Sequence, residues 1–377
     1  MNKKTQVAIL MATLSMQVGA MEQIHPVTVR FNGFSNSENP FFGFKEAKPH
    51  LQNECRIADI YLKKNIPPKS VAYLVIPART SSGHKVTLSS KFGAGWNNDN
   101  IKVHLILSKI RTSKKQKFHK KSQKRCCEYV GIIGDKSGLF KDSTSLVSVD
   151  MRGVDRKNAR WLKGGKKQNS RKNYMTSMFE GCTALTSVKW GKLNTRNVTR
   201  MDYMFKDCKN LERLNLSHLN TSKVATMKGM FANCYKLEDL NMRLCNTSKV
   251  QNMEGMFLNC KALPSVNLTN FDIELVQNMK QMFDGCENMT SIEFPVSDAQ
   301  NLATMQSMFE NCTNLLDLDL SKVRIPNTVI MTDFITGCKN LDTISFHPEV
   351  PSEKVENAMK NCTNCPDLTS GETFHNG

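Results

Sequence analysis

The chain has 377 residues, with 52 lysines and arginines against 34 acidic residues and a formal net charge of +18. Its mean hydropathy is −0.41, and no stretch beyond the first twenty residues is long and apolar enough to cross a bilayer, so we expect no transmembrane span. The basic balance favours anionic partners, although it does not identify one.

The first twenty residues have the form of a secretory signal peptide. Lys3 and Lys4 precede an apolar stretch that is too short to span a membrane, and Val18 and Ala20 suit cleavage after residue 20. A buried N-terminal helix is the alternative. We therefore expect an exported protein that is secreted or located at the cell surface.

Residues 21–127 do not repeat and are predicted to form a small β-rich region, which could also act as an N-terminal lid. Apolar or alternating runs separated by turn sequences predict strands at 27–31, 71–76, 85–88 and 101–107. A further strand at 129–133 is assigned to the first turn of the repeats that follow.

From about residue 139 to 347 the chain repeats with a period of 26 residues. Met-Phe pairs begin at Met178, Met204, Met230, Met256, Met282 and Met308. A cysteine lies three residues after each of these phenylalanines, at Cys182, Cys208, Cys234, Cys260, Cys286 and Cys312. Cys338 continues the period in the next unit, where Phe334 takes the methionine place. Such a period predicts a solenoid in which each unit packs on its neighbours and leaves an extended surface for binding.

One unit, from Cys208 to Phe231, shows the expected order of elements. The pattern Leu-x-x-Leu-x-Leu from Leu211 has strand-like alternation, and Asn-Thr-Ser at 220–222 is turn chemistry. The apolar residues from Val224 onward have roughly helical or 3₁₀ spacing. We therefore predict an α/β repeat solenoid of leucine-rich-repeat type, with one parallel sheet on its concave face.

The repeated pattern Met-Phe-x-x-Cys-x-x-Leu, followed by Leu-x-Leu-Ser-x-x-(Asn/Asp)-Thr-Ser-x-Val-x-x-Met, resembles the BspA-like leucine-rich repeats. The resemblance implies a bacterial protein, secreted or surface-exposed, that acts in adhesion. The chain departs from the standard repeat after the strand, where residues such as Leu219 replace asparagine, so we do not expect the usual asparagine ladder.

These patterns predict four segments: a signal peptide (1–20), the β-rich region (21–127), a solenoid (128–365) and a tail (366–377). A basic insertion near 160–173 interrupts the solenoid.

The thirteen cysteines comprise seven in the repeat column, Cys245 at the position after a strand, and five outside the repeats. Equivalent side chains in stacked repeats run parallel, so the seven repeat cysteines are predicted to be buried thiols that pack as small apolar residues. Cys362 and Cys365 could form a local disulfide, a redox pair or half of a metal site. With no second such pair in the chain, a plain disulfide or free thiols are the simpler interpretation. Cys55, Cys126 and Cys127 could pair with one another.

Basic charge is concentrated in the first part of the chain. Residues 1–250 hold 45 lysines and arginines against 17 acids, whereas residues 251–377 hold 7 against 17. Segments 109–125 and 152–172 each contain nine basic residues. We expect either solvated loops or a polyanion site, in which nucleic acid would bind only non-specifically. The lysines predicted for that site are Lys114, Lys115, Lys117, Lys120 and Lys121.

The sequence does not support an enzyme, a metal site or a cofactor. None of the eight histidines has zinc-ligand spacing, and there is no Gly-x-Ser-x-Gly elbow, phosphate loop or dinucleotide fingerprint. Cys126 or Cys127 could pair with His104 or His119 as nucleophile and base, but exposed side chains in a basic patch are a simpler interpretation.

We therefore expect noncatalytic recognition of an extracellular protein, an anionic polysaccharide or lipopolysaccharide. The candidate binding residues are outward strand positions: Lys189, Arg213, Asn215, Asp239, Arg243, Asn267, Glu293, Asp317 and Asp319. Two alternatives are a secreted enzyme or toxin with its chemistry in residues 21–135, and a structural component of the envelope.

Overall fold

The computed structural model describes residues 27–31, 41–46, 54–77, 85–88, 95–108, 110–111, 127–128, 131–132, 138–152, 154, 174–191, 193 and 195–359. The predicted signal peptide, the five lysines of the first basic segment and the insertion near 160–173 lie outside these residues. The pairing of the five cysteines outside the repeats also stays a prediction.

The described residues contain nineteen strands and one helix. In the N-terminal region the strands are β1 (Val27–Arg30), β2 (Phe42–Glu46), β3 (Glu54–Leu62), β4 (Ser70–Pro77), β5 (Lys85–Leu88), β6 (Ile101–Ser108), β7 (Ile110–Arg111), β8 (Cys127–Glu128), β9 (Gly131–Ile132) and β10 (Leu146–Asp150). In the repeats they are β11 (Ser187–Lys189), β12 (Arg213–Asn215), β13 (Asp239–Asn241), β14 (Ser265–Asn267), β15 (Ser291–Glu293), β16 (Ser297–Asp298), β17 (Asp317–Leu320), β18 (Val323–Arg324) and β19 (Thr343–Phe346). The helix α1 (Ser352–Met359) follows them.

One parallel sheet begins in the N-terminal region and leads into the repeats. Strands β1, β4, β6, β10 and β11 lie side by side in that order. In the repeats Arg213 pairs with Asp239 and Ser265 with Ser291, so the register of the strands equals the 26-residue period. Because this register is constant, equivalent side chains of successive repeats stack in rows. The chain is a repeat solenoid.

The strands before residue 127 continue the same stack. In the first sheet β6 pairs with β10 across the predicted boundary. A second sheet has the order β2-β3-β5-β9, in which β3, β5 and β9 are parallel. Strand β9 lies within the predicted strand at 129–133 and leads into β10, so this coil joins the two regions.

The side of each repeat opposite the first sheet is built from turns and not from the predicted helical return. Isolated parallel bridges join residues 26 apart, from Tyr174–Arg200 to Thr304–Ile330. The turns that follow are closed by backbone bonds to the carbonyl three residues earlier, as from Cys234 to Phe231. In the described residues α1 is the only helix.

Backbone conformation explains why these turns do not become a helix. Each repeat has two residues with positive φ, four positions apart, such as Tyr203 at 54° and Asp207 at 61°. The next repeat has Gly229 at 57° and Asn233 at 61°. A residue in this left-handed conformation ends a run of right-handed helix, and glycine, asparagine and aspartate adopt it with least strain. The turns still direct the methionine and phenylalanine side chains inward. The spacing of these residues therefore resembles that of an amphipathic helix, although no helix forms in the described repeats.

A column of phenylalanines runs through the centre of the core. The rings from Phe140 to Phe309 are stacked, with centroids 5.2–5.9 Å apart and planes within 17° of parallel. Phe334 ends this stack with its ring edge-on, at 5.3 Å and 90°. The methionine columns are buried beside the rings, so every repeat completes the core of the next.

The seven repeat cysteines are buried and free, as predicted, but they also form a hydrogen-bonded ladder. Each thiol donates to a phenylalanine carbonyl of the preceding repeat at 2.9–3.2 Å, as Cys234 Sγ does to Phe205. Burial raises the pKa of Cys208, Cys260 and Cys286 well above the ordinary thiol value. These thiols are therefore unreactive at neutral pH.

A threonine ladder fulfils the role of the asparagine ladder that is missing after the strand. The Thr221 hydroxyl donates to the Asn246 carbonyl at 2.8 Å and accepts the Asn246 N–H at 2.7 Å. Thr195 and Thr247 make the same pair of bonds to the next repeat. All three threonines are buried, so each one satisfies backbone groups at a repeat junction.

Candidate binding groove

The open face is formed by the outward side chains of the first parallel sheet and of the repeat strands β12 to β15, β17 and β19 that follow it. These repeat strands pair two by two in separate sheets, so the predicted single sheet is divided. Most of the predicted binding residues are exposed strand residues on this face: Lys189, Arg213, Asn215, Asp239, Asn267, Glu293, Asp317 and Asp319. Arg243 is exposed but lies two residues beyond the end of β13, and Asn241 occupies the outward strand position in that repeat. The pairing of β13 with β12 ends at Asn241, so Arg243 is not a strand residue.

A groove of about 780 Å³ lies at the N-terminal end of the open face, across β4, β6, β10 and β11. This volume is within the range of about 300–1,000 Å³ that is usual for ligand clefts. Alternate residues of the four strands line it: Val71, Tyr73, Lys102, His104, Ile106, Ser148, Asp150, Ser187 and Lys189. Lys189 is the one residue of the predicted binding set among them, so the groove joins the predicted surface at this point.

Four side chains cross the groove as a polar row, which consists of Tyr73, His104, Ser148 and Ser187. They are direct partners in the strand register. The rings of Tyr73 and His104 stack at 4.7 Å and 14°, and His104 Nδ1 lies 2.8 Å from Ser148 Oγ. The polar row is therefore held in place by its own contacts.

The polar row is uncharged at neutral pH. Burial, together with the nearby positive charge of Lys102, lowers the pKa of His104 to about 4. Burial also raises the pKa of the Tyr73 phenol above its ordinary value. A neutral imidazole provides one donor and one acceptor, and each hydroxyl provides both, so the row can bond to either kind of partner.

Charged side chains surround the polar row. Lys102 lies two residues before His104 on β6, and Lys189 lies two residues after Ser187 on β11. Arg152 binds the Asp150 carboxylate through two nitrogens, at 2.6 and 3.0 Å, so these two charges largely neutralise each other. Lys102 and Lys189 are exposed cations that flank the row along the strands, and the exposed Lys69 and Asp99 also line the groove.

The contact between Ser148 and His104 has the distance of a nucleophile–base pair but lacks its other features. Such a pair needs a third group that orients the base, and the described residues place no carboxylate within hydrogen-bonding distance of His104. A histidine with a pKa of about 4 is also a weak base at neutral pH. Ser148 and His104 are thus hydrogen-bonding partners within the polar row.

The C-terminal part of the open face is acidic, and its carboxylates bond across repeats. Asp317 accepts a hydrogen bond from Thr343 at 2.6 Å, and Asp319 accepts one from Ser345 at 2.9 Å. Glu293 accepts one from Asn267 at 2.5 Å. These neighbouring donors hold the acidic side chains in fixed rows on the surface.

Neither a metal-binding cluster nor a membrane-spanning helix is found in the described residues. Within them, no three His, Cys, Asp or Glu side chains are grouped so that they could hold a metal ion. No helix of the described part of the chain is long and apolar enough to cross a bilayer.

Sequence reasoning missed most of the groove. His104 was considered only as a partner for Cys126 or Cys127, and Ser148 was not considered. The alternation of Lys102, His104 and Ile106 along β6 was a signal that these side chains share a face. Their position beside β4 and β10 depends on the strand register. The strands of this region are unequally spaced along the chain, so the register could not be predicted from the sequence.

The chain was also compared with known proteins. A family model described as "Mycoplasma protein of unknown function, DUF285" matches residues 163–242 and 236–345. No curated protein sequence matches the chain.

Two solved structures of repeat proteins are similar to parts of the chain. A leucine-rich repeat protein of T. pallidum is 16% identical, with a TM-score of 0.34 over 73% of this chain and 88% of that one. A leucine-rich repeat protein from Bacteroides ovatus ATCC 8483 is 14% identical, with a TM-score of 0.37 over 82% of this chain and 88% of that one. The fold described above follows from the strand registers of the chain itself.

Proposed function

We propose that this protein is a noncatalytic binding protein of the leucine-rich-repeat type, similar to the BspA-like proteins. In this proposal the open face recognises an extracellular protein or an anionic polymer at or outside the cell envelope. Export rests on the signal-like form of the first twenty residues.

The observation that supports this proposal is the constant 26-residue register of the paired repeat strands, which places equivalent outward side chains side by side. The exposed side chains of the open face stand in rows on parallel strands whose spacing is about 4.8 Å, so seven repeats alone extend for roughly 30 Å. That span suits contact with a macromolecule. Because the backbone of these strands is already paired, the side chains can differ between repeats without any change in the scaffold.

Charge along the open face would orient the partner. Lys189 and Arg213 lie near its N-terminal end, and Glu293, Asp317 and Asp319 lie near its C-terminal end. A partner with an acidic region would place that region towards Lys189 and Arg213. Complementary charge of this kind contributes mainly to association rate and specificity.

A charge-reversal experiment tests the proposal. The full chain carrying Arg213→Glu and Arg243→Glu should bind more weakly than the wild type to at least one immobilised probe from a panel of heparin, lipopolysaccharide and purified matrix proteins. Both arginines are exposed, so the melting temperature should be nearly unchanged.

The matched control is Lys236→Glu with Lys249→Glu, which makes the same change of charge at two exposed positions outside the strands, whereas the test pair includes the strand residue Arg213. The control should retain binding apart from a general electrostatic loss. Equal binding by the two double variants would contradict recognition by the open face.

A further inference from the structure

The middle strands of the groove, β6 and β10, lie in the interior of the sheet, which limits how a ligand can bind there. Strands β6 and β10 each have a parallel partner on both sides, so their backbone groups are already used in the sheet. An extended peptide that adds a strand needs a free edge. A ligand in this groove must therefore be recognised by side chains.

The lining of the groove combines hydroxyl chemistry with small apolar surfaces. The polar row offers a phenol, a neutral imidazole and two serine hydroxyls in register on neighbouring strands. Val71 and Ile106 line the groove beside it and are partly exposed. Sugar rings present hydroxyls that both donate and accept, together with apolar C–H faces, and this lining matches both properties.

Lys102 and Lys189 lie on opposite sides of the polar row. Lys102 and Lys189 are separated by two strand spacings and four residues along the strands, which places their Cα atoms about 16 Å apart. Side chains on strands stand roughly perpendicular to the sheet, so a single sulfate or phosphate is poorly placed to contact both ammonium groups at once. An extended ligand that carries acidic groups at intervals can do so.

We propose that the groove binds an anionic oligosaccharide, with sugar hydroxyls on the polar row and acidic groups on Lys102 and Lys189. The inference deepens the proposed function, since the groove is the N-terminal end of the open face. The acidic groups can be sulfates or carboxylates, and the experiment separates these two sources.

The experiment uses the full chain in which Lys114, Lys115, Lys117, Lys120 and Lys121 are replaced by glutamine, so that the first basic segment contributes little. It is titrated with a sulfated tetrasaccharide prepared from heparin and with an unsulfated uronic-acid tetrasaccharide. A neutral tetrasaccharide and inorganic sulfate serve as the comparison ligands. Calorimetry gives the Kd, and NMR follows the ring signals of His104 and of the exposed His218.

At least one acidic tetrasaccharide should bind and shift the His104 signals while those of His218 stay in place. Adding Lys102→Gln and Lys189→Gln should raise the Kd about tenfold or more, since two charge-assisted contacts are lost. The matched control, Lys236→Gln with Lys249→Gln, should leave the Kd nearly unchanged. Whichever acidic ligand binds more tightly identifies the source of the acidic groups.

Three results would each overturn the inference: no binding of either acidic tetrasaccharide, equal binding of the neutral one, or equal effects of the two double variants. Efficient competition by inorganic sulfate would also overturn it, because it would indicate a simple anion site. If Arg213→Glu with Arg243→Glu weakens binding to the panel but the groove binds no tetrasaccharide, the proposed function stands and only this inference fails.

Discussion

At the residue scale, the cysteine ladder combines apolar burial with hydrogen bonding. Ser143 occupies the equivalent position in the first described coil, where it is buried and its Oγ accepts the Trp96 N–H at 3.2 Å. The column therefore accommodates a hydroxyl when a partner is available.

Cys234→Ser should accordingly cost about 1 kcal/mol of unfolding free energy, because the hydroxyl keeps a donor opposite the Phe205 carbonyl. Cys234→Val should cost about 2 kcal/mol, since it removes the donor and overfills a stacked column. Urea unfolding of both variants measures the difference. A serine variant less stable than the valine variant would show that the hydrogen bond is unimportant.

His104 should make stability depend on pH. Its folded pKa of about 4 is below the ordinary value of 6.5, so the unfolded chain binds the proton more readily. The stability is present above the unfolded pKa and is lost as pH falls from 6.5 towards 4, by at most about 3 kcal/mol. Burial is the main cause, followed by Lys102; Tyr73, Ser148 and Asp150 are the other groups on the adjacent strands.

Urea unfolding at pH 7.5 and pH 4.5 tests this prediction. His104→Asn should lose less stability between the two pH values than the wild type, because it cannot be protonated. His218→Asn, at an exposed histidine, should behave like the wild type. The same pH dependence in all three proteins would exclude His104 as its source.

At the element scale, the turns between strand and bridge are held by the threonine ladder. Thr221→Val should destabilise the fold by about 1–3 kcal/mol, because the methyl group leaves the Asn246 N–H and carbonyl without their hydroxyl partner. The control Thr290→Val removes one exposed bond of 3.3 Å and should change stability little. Thermal unfolding compares the two, and equal losses would argue against a special role of the ladder.

Elements that depend on the local sequence pattern were predicted correctly, whereas elements that depend on backbone conformation were not. The strands at 71–76, 85–88 and 101–107 were predicted from apolar runs, and β4, β5 and β6 confirm them. The helical return was wrong because positive φ at positions such as Asp207 and Asn233 is a backbone property that apolar spacing does not show. Strands β2 and β3 were missed because Phe42–Glu46 and Glu54–Leu62 lack a clear alternation.

At the scale of the whole molecule, the repeat period determined which side chains face outward, and most of the open face could be predicted from it. The groove could not, since Tyr73, His104 and Ser148 come from coils of unequal length. Their proximity depends on a register that only the folded chain provides.

The charge distribution also acts on the whole molecule. Replacing Lys114, Lys115, Lys117, Lys120 and Lys121 by glutamine should lower the salt concentration at which the protein elutes from heparin, because fewer counterions are released on binding. The melting temperature should change little if these lysines form a solvated loop. Elution at the wild-type salt concentration would show that this segment only aids solubility.

Lysine footprinting tests recognition by the open face most directly. The full chain is acetylated briefly with and without a heparin-derived oligosaccharide, and mass spectrometry compares the rate at each lysine. We predict that Lys102 and Lys189 are protected, while Lys236 and Lys249, which are exposed outside the strands, react as before. Protection of Lys236 and Lys249 with unchanged reaction at Lys102 and Lys189 would contradict the account.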